Sequence, residues 1–174
     1  ENKAFLELLE EKKALDTKLA VFSGQEITER DYKSFRELRA LYAVLGEKLG
    51  DLYHKDIRPG GYLSDVENLK DPHMCYLYFL RMEEAFCRLT SDDLDEVSLA
   101  IRIYSELVQR FGDYPVTLFR LGQSLGRLDQ NFESADAFER SLSALQEIRS
   151  TDYTYAHPKL TLKQAEYIDS SIYR

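Results

Sequence analysis

Two segments in the second half of the chain carry the same pattern of apolar and small residues 34 positions apart. The matched pairs are Ala100 with Ser134, Tyr104 with Phe138, Val108 with Leu142, and Phe111 with Leu145. Their spacing of three and four residues is typical of one face of a helix. Because a repeated unit of this kind buries its apolar face by stacking on a neighbour, the repeat predicts a stack of helix pairs.

Between the two copies lies a further helical stripe formed by Leu118, Leu121 and Leu125. Gly122 leaves room in this stripe for a crossing helix, and Pro115 suits the first turn. The segment resembles the tetratricopeptide repeat, whose unit is about 34 residues long. The Leu121-Gly122 pair, Leu125 and the second-helix aromatic Phe138 carry the resemblance, with Ser134 and Ser141 at the two small-residue positions.

This resemblance covers residues 100–145 and extends loosely to the segment from Met74 to Leu89. It implies antiparallel helix pairs in a short α-solenoid, with a concave groove in which the first helices bind an extended peptide. By the same resemblance, the groove is lined by Val116, Phe119, Arg120, Gln123 and Arg127. An unrelated helical bundle is the alternative fold.

The first part of the chain predicts an antiparallel hairpin of two long helices. The first helix carries Phe5, Leu8, Leu15, Leu19 and Phe22, and Ser23-Gly24 ends it. Thr28, followed by Asp31, resembles a capping box that begins the second helix. The stripe of this helix is Tyr32, Phe35, Leu38, Leu41, Leu45, Leu49 and Leu52. Gly46 and Gly50 lie one turn apart and predict the close approach of a neighbouring backbone.

The sequence therefore predicts an all-α protein in three parts. Residues 1–58 form the N-terminal helical hairpin, residues 59–73 a connecting loop, and residues 74–174 the tetratricopeptide-like helix pairs, and we expect one continuous globular unit. The segment from Met74 to Leu89 is apolar on most sides, which predicts a helix buried between two layers. Thr161 with Gln164 begins a last helix whose pattern runs to the final residues, so we expect an excised piece of a longer protein.

Composition excludes several classes of function. The chain has 23 Lys and Arg against 31 Asp and Glu, a net charge of −8, which argues against nucleic acid or an anionic membrane as a partner. No apolar run reaches the roughly 18 residues that span a bilayer. The two cysteines, Cys75 and Cys87, lie in apolar surroundings, which favours a reducing cytoplasmic location.

No constellation in the sequence predicts catalysis, a metal or a cofactor. His73 and Cys75 form a single short pair, whereas a structural zinc site needs a second pair. Cys87 lies on an apolar helix and is expected in the core. The acidic cluster Asp92, Asp93, Asp95 and Glu96 lacks the ligand spacing of a calcium loop, so we expect it to cap a helix.

These observations predict a noncatalytic protein-interaction module, an adaptor or scaffold that binds a protein or peptide partner. Arg120 and Arg127 share one face of their helix in an acidic chain, which favours an acidic partner segment and predicts that reversing their charges spares the fold. The alternatives are an ordinary solvated face at these arginines, a regulatory or sensor domain of a larger multidomain enzyme, and self-association through the hairpin as an intermolecular coiled coil.

Overall fold

The computed structural model describes residues 3–22, 28–56 and 72–150, and all structural statements below concern these ranges. Every regular element in them is an α-helix, so the predicted all-α class is confirmed for this part of the chain. The helices are α1 (Lys3–Ala20), α2 (Glu29–Asp56), α3 (Pro72–Thr90), α4 (Leu94–Phe111), α5 (Pro115–Arg127) and α6 (Asn131–Ser150). None of these helices has the combination of length and apolarity that crossing a bilayer requires.

Helices that follow one another in the chain are also neighbours in space. Each helix from α1 to α5 packs on the next one, and α3 additionally contacts α5. The contacts between α1 and α2 run in opposite directions: Glu11 lies 3.4 Å from Lys48, whereas the later Asp16 accepts a hydrogen bond of 2.8 Å from the earlier Tyr42. α1 and α2 therefore form an antiparallel hairpin.

The buried face of α2 is rotated relative to the predicted stripe. Three expected members are buried, namely Leu38, Leu45 and Leu49. Leu41 is 49% exposed, however, and the expectation that it lies in the core is wrong. Tyr42 and Tyr53 are buried in its place. The physical reason is that both α1 and α3 pack on α2, so the buried arc is centred between these two helices and Leu41 lies outside it.

The start of α2 and its crossing with α3 agree with the sequence. Thr28 immediately precedes α2, so the helix begins where predicted. Its backbone carbonyl accepts from the Asp31 N–H and its hydroxyl donates to the Asp31 carboxylate at 2.9 Å, whereas in the expected capping box the hydroxyl accepts from that N–H. A Cβ atom at Gly50 would lie 2.7 Å from Oε1 of Glu84, and one at Gly46 would lie 3.0 Å from Cγ of Arg88. A close approach by α3 is thus found at both glycines. The predicted backbone contact is confirmed at Gly46, where a Cβ atom would lie 3.5 Å from the Glu84 carbonyl oxygen, whereas at Gly50 the approaching atoms belong to side chains.

Glu84 is the buried ionic centre of this crossing. Its side chain is only 2% exposed and lies between the guanidinium groups of Arg81 and Arg88, with the Arg88 Nε atom 3.0 Å from Oε1. Arg88 also pairs with Glu96 of α4 at 2.5 Å. Because buried charges are stable only when paired, these contacts tie α3 to α4 through one network.

The acidic turn between α3 and α4 caps a helix, as predicted. The Asp93 side chain accepts a hydrogen bond of 2.9 Å from the Asp95 N–H, at the N-cap of α4. Asp92 pairs instead with Arg39 of α2 at 2.7 Å. Cys87 of α3 is buried, which confirms its expected place in the core.

α5 and α6 form a closely packed antiparallel pair. The Ser141 hydroxyl donates to the Pro115 carbonyl and the Ser134 hydroxyl to the Gly122 carbonyl, each at 2.7 Å. A Cβ atom at Gly122 would lie 2.7 Å from the ring of Phe138. Small side chains therefore let the two helices approach, as the repeat pattern predicts for this pair.

The loop expected at 59–73 and the last helix expected from Thr161 lie almost wholly outside the described residues, and so do the side chains of His73 and Cys75. In the described part, α2 ends at Asp56 and α3 begins at Pro72. The three-part division of the chain stays a prediction.

Candidate functional site

Side chains from α1, α3 and α5 meet at one aromatic ring. Phe86 of α3 has the Lys12 ammonium of α1 at 4.6 Å and the Arg120 guanidinium of α5 at 4.7 Å from its ring centroid. Lys12 also pairs with Glu83 of α3 at 3.2 Å. With Gln123, these side chains define what we call the α1/α3/α5 face: Lys12, Glu83, Phe86, Arg120 and Gln123.

Arg120 is held in place by aromatic and amide contacts. Its guanidinium lies near the rings of Phe86 and Phe119, at 4.7 and 5.6 Å from their centroids, and donates a hydrogen bond of 2.8 Å to the Gln123 side-chain oxygen. Cations are attracted to the faces of aromatic rings, and a guanidinium that stacks in this way donates its hydrogen bonds in its own plane. The side chain is half-buried.

Arg120 has no carboxylate partner among the described residues, unlike most of the half-buried arginines. Within the described ranges, five of the half-buried arginines form ion pairs with Asp or Glu, namely Arg39, Arg81, Arg88, Arg110 and Arg140. No such pair is formed by Arg120 or Arg127 there. Lys12, on the same face, is compensated by both Asp16 and Glu83, and these carboxylates raise its pKa against the opposing effect of burial.

Arg127 is engaged inside the chain. Its guanidinium donates hydrogen bonds to the carbonyl oxygens of Leu89 and Ser91, the second at 2.6 Å. Arg39 approaches the same helix end from α2 and donates to the Thr90 carbonyl at 2.7 Å. Burial and the like charge of Arg39 lower the pKa of Arg127. The two arginines therefore satisfy the C-terminal carbonyls of α3, which a helix leaves without internal partners.

The other predicted groove residues lie at different depths. Phe119 is buried against Leu145, and its ring centroid lies 5.8 Å from that of Phe138. Val116 is half-buried at the edge of the same apolar cluster, whereas Gln123 lies beside Arg120. The structure thus brings Phe119, Arg120 and Gln123 together and directs Arg127 to the end of α3. Their role in binding a partner stays a prediction.

Sequence reasoning missed Lys12 and Phe86, because no local pattern shows that α1, α3 and α5 share a face. It also missed a polar atom beneath that face. The Tyr104 hydroxyl of α4 is buried and has no hydrogen-bond partner within the described residues. Burial raises the pKa of this hydroxyl, and the nearby Arg120 charge opposes the effect.

A cleft and the metal-ligating side chains of the described residues offer no second site of this kind. A cleft of about 450 Å³ lies between the end of the hairpin and α3, with Leu19, Phe22 and Phe35 among its walls. Its polar groups are already engaged, since Arg39 binds the Thr90 carbonyl and Asp16 binds Tyr42. Among the described residues, no three His, Cys, Asp or Glu side chains are grouped as metal ligands would be.

Comparisons of the chain with protein-family models, curated proteins and solved structures give no match.

Proposed function

We propose that the chain is a noncatalytic protein-interaction module, an adaptor or scaffold, that binds a carboxylate-bearing segment of a partner protein at the α1/α3/α5 face. The observation that carries this proposal is Arg120, a half-buried arginine with no carboxylate partner among the described residues. The chain as a whole has 31 acidic residues against 23 basic ones. In a chain with this excess of acidic residues, a half-buried guanidinium without a carboxylate partner is suited to bind an anion from another molecule.

The geometry around Arg120 favours a planar anion. Phe86 and Phe119 lie near its guanidinium, and Gln123 accepts from only one of the terminal nitrogens, Nη1. The remaining N–H groups point along the guanidinium plane, where a carboxylate accepts two parallel hydrogen bonds. A partner's Asp, Glu or terminal carboxylate meets this requirement.

The proposal includes a tetratricopeptide-like solenoid as the arrangement of the helix pairs. Four contacts support it, because they join α3 to α5 at sequence separations of 34 to 39 residues. They run in parallel order, from Tyr78 with Thr117 to Leu89 with Arg127. First helices of successive repeats lie side by side in the same way. The contact of Gly122 with Phe138 fits the resemblance as well.

The test uses the 174-residue chain immobilised as bait in native extract, with quantitative mass spectrometry of what it captures. The variant is Arg120→Glu, and the matched control is Arg102→Glu, which makes the same charge change at an exposed arginine of α4. Arg127 is left intact because its hydrogen bonds hold α3. We expect proteins that are captured by the wild type and the control and lost from Arg120→Glu.

A captured protein is then purified and its affinity measured directly. Removing one member of a desolvated charge pair costs about 2 to 5 kcal/mol, which is roughly a thirtyfold or larger loss of affinity. Equal affinity of the wild type and Arg120→Glu for every captured protein would refute binding at this face. Loss of binding in the Arg102→Glu control as well would show that net charge, rather than the α1/α3/α5 face, decides the interaction.

A further inference from the structure

The outer side of α2 carries an exposed stripe that the hairpin and core leave uncovered. Its members are spaced by four, three and four residues: Glu37, Leu41, Val44 and Lys48. Leu41 and Val44 are each 49% exposed, although both are large apolar residues in the middle of a 28-residue helix. This spacing is that of a seam along which two helices pack.

The stripe is complementary to itself when it is read in the opposite direction. In two antiparallel α2 helices related by a two-fold axis near Tyr42 and Ala43, Leu41 of one copy faces Val44 of the other. The same axis places Glu37 of each copy opposite Lys48 of the other. A two-fold interface requires this kind of complementarity, because one patch must bind an identical patch. A parallel arrangement would instead place like charges together.

A groove of about 350 Å³ lies beside the stripe and is lined by Arg36, Ala40 and Ala43 of α2 and by Ser91, Asp92 and Asp93. Arg36 lies 3.6 Å from Asp92, so this groove is polar and belongs to the contact of α2 with the turn before α4. Leu41 and Val44 are therefore the apolar part of the surface.

The charged residues at the two ends of the stripe can exchange their ion pairs within one chain for ion pairs with a second copy. Glu37 lies 3.8 Å from Lys33, and Lys48 lies 3.4 Å from Glu11, with all four side chains more than half exposed. Exposed ion pairs of this kind contribute little to stability, so replacing them with pairs across an interface carries little cost.

From the stripe and the charge pattern together, we infer that the chain forms an antiparallel homodimer through the outer face of α2. The occupant of this face is a second copy of the same chain. The surface is separate from Arg120, so the dimer does not depend on the proposed partner site. A single helix pair is a small interface, and we therefore expect a weak, concentration-dependent dimer.

The first experiment is sedimentation equilibrium of the 174-residue chain over a micromolar to millimolar concentration series. We expect the average mass to rise from the monomer value of 20.3 kDa towards twice that value. Leu41→Glu should weaken the dimer at least tenfold. The matched control is Phe132→Glu, at a 91% exposed residue of α6, and it should leave the dimer unchanged. Monomer at every concentration, or equal association of Leu41→Glu and the wild type, would overturn the inference.

The second experiment tests the orientation by charge reversal. Glu37→Lys and Lys48→Glu should each weaken the dimer severalfold, because each places like charges opposite one another twice. The double variant restores the opposite pairs, and its association should return towards that of the wild type. Failure of this restoration would exclude the antiparallel register. Circular dichroism of each variant checks that it is folded. If Leu41→Glu does not fold, the variants of the exposed residues Glu37 and Lys48 still test the interface.

Discussion

Replacing Gly122 by alanine tests the packing of α5 on α6 at its closest point. The added Cβ atom would lie 2.7 Å from Cε1 and 2.8 Å from Cδ1 of the Phe138 ring. The ring packs against a second aromatic side chain, since its centroid lies 5.8 Å from that of Phe119. The backbone is also held, because the Ser134 hydroxyl donates to the Gly122 carbonyl at 2.7 Å.

Two effects of opposite sign decide the result. Alanine favours the helix over glycine by about 1 kcal/mol. Forcing extra carbon into a packed contact costs roughly 1 to 3 kcal/mol. We therefore expect Gly122→Ala to lower the free energy of unfolding by about 1 kcal/mol net, which lowers the Tm by about 2 to 4 °C in a chain of this size. Gly122→Leu should lower the free energy of unfolding further, because it adds more carbon to the same contact.

The assay is urea and thermal unfolding followed by circular dichroism, and the same helix supplies a control. A Cβ atom at Gly126 would meet only the Ser134 hydroxyl oxygen, at 3.4 Å. Gly126→Ala should therefore stabilise the chain by up to about 1 kcal/mol. The double variant Gly122→Ala/Phe138→Leu should lose less stability than the sum of the two single variants, because the smaller side chain makes room for the added Cβ atom. Equal stabilisation by Gly122→Ala and Gly126→Ala would refute the packing argument.

Three further predictions concern buried polar groups. Glu84→Ala should cost about 3 to 5 kcal/mol because it leaves two arginines without their shared carboxylate, and a loss below about 1 kcal/mol in urea unfolding would contradict the network. Arg127→Met should lower the free energy of unfolding by about 1 to 3 kcal/mol, because it leaves carbonyl groups at the end of α3 without their hydrogen bonds. An unchanged Tm would show that water replaces the hydrogen bonds of Arg127. Burial raises the pKa of Tyr42 and Tyr104, so the unfolded chain loses these phenol protons at a lower pH than the folded chain does. The free energy of unfolding should therefore fall as the pH rises through about 10, and a Tm that stays constant across that range would contradict this.

Features that depend on neighbours within a helix were predictable from the sequence. The start of α2 at Thr28 and the cap at Asp93 follow from side chains that bond within one turn. The close contacts at Gly46 and Gly50 were also predictable, because glycines one turn apart in a long helix need a packing reason. The identity of the approaching helix was not, since it depends on the tertiary arrangement.

Features that depend on which helices flank one another were not predictable. The exposure of Leu41 follows from the joint positions of α1 and α3 around α2, which the apolar spacing of α2 alone does not contain. The same holds for the contact of Lys12 and Arg120 with Phe86, whose members come from three separate helices. The sequence-based expectation that reversal of Arg127 spares the fold has to be revised, because it treated the residue as part of a solvated or ligand-facing surface.

The contrast between Arg120 and Arg127 locates the charge that a partner would meet. Both belong to one face of α5. Arg127 donates its hydrogen bonds to backbone carbonyls at the end of α3, whereas Arg120 contacts aromatic rings and the side-chain amide of Gln123. Lys12 contacts the same Phe86 ring from the hairpin, but Asp16 and Glu83 compensate its charge. Among the described residues of this face, Arg120 is therefore the cation that has neither a carboxylate partner nor a bond to a helix end. Because Lys12 and Arg120 contact the same Phe86 ring, the hairpin borders the proposed site.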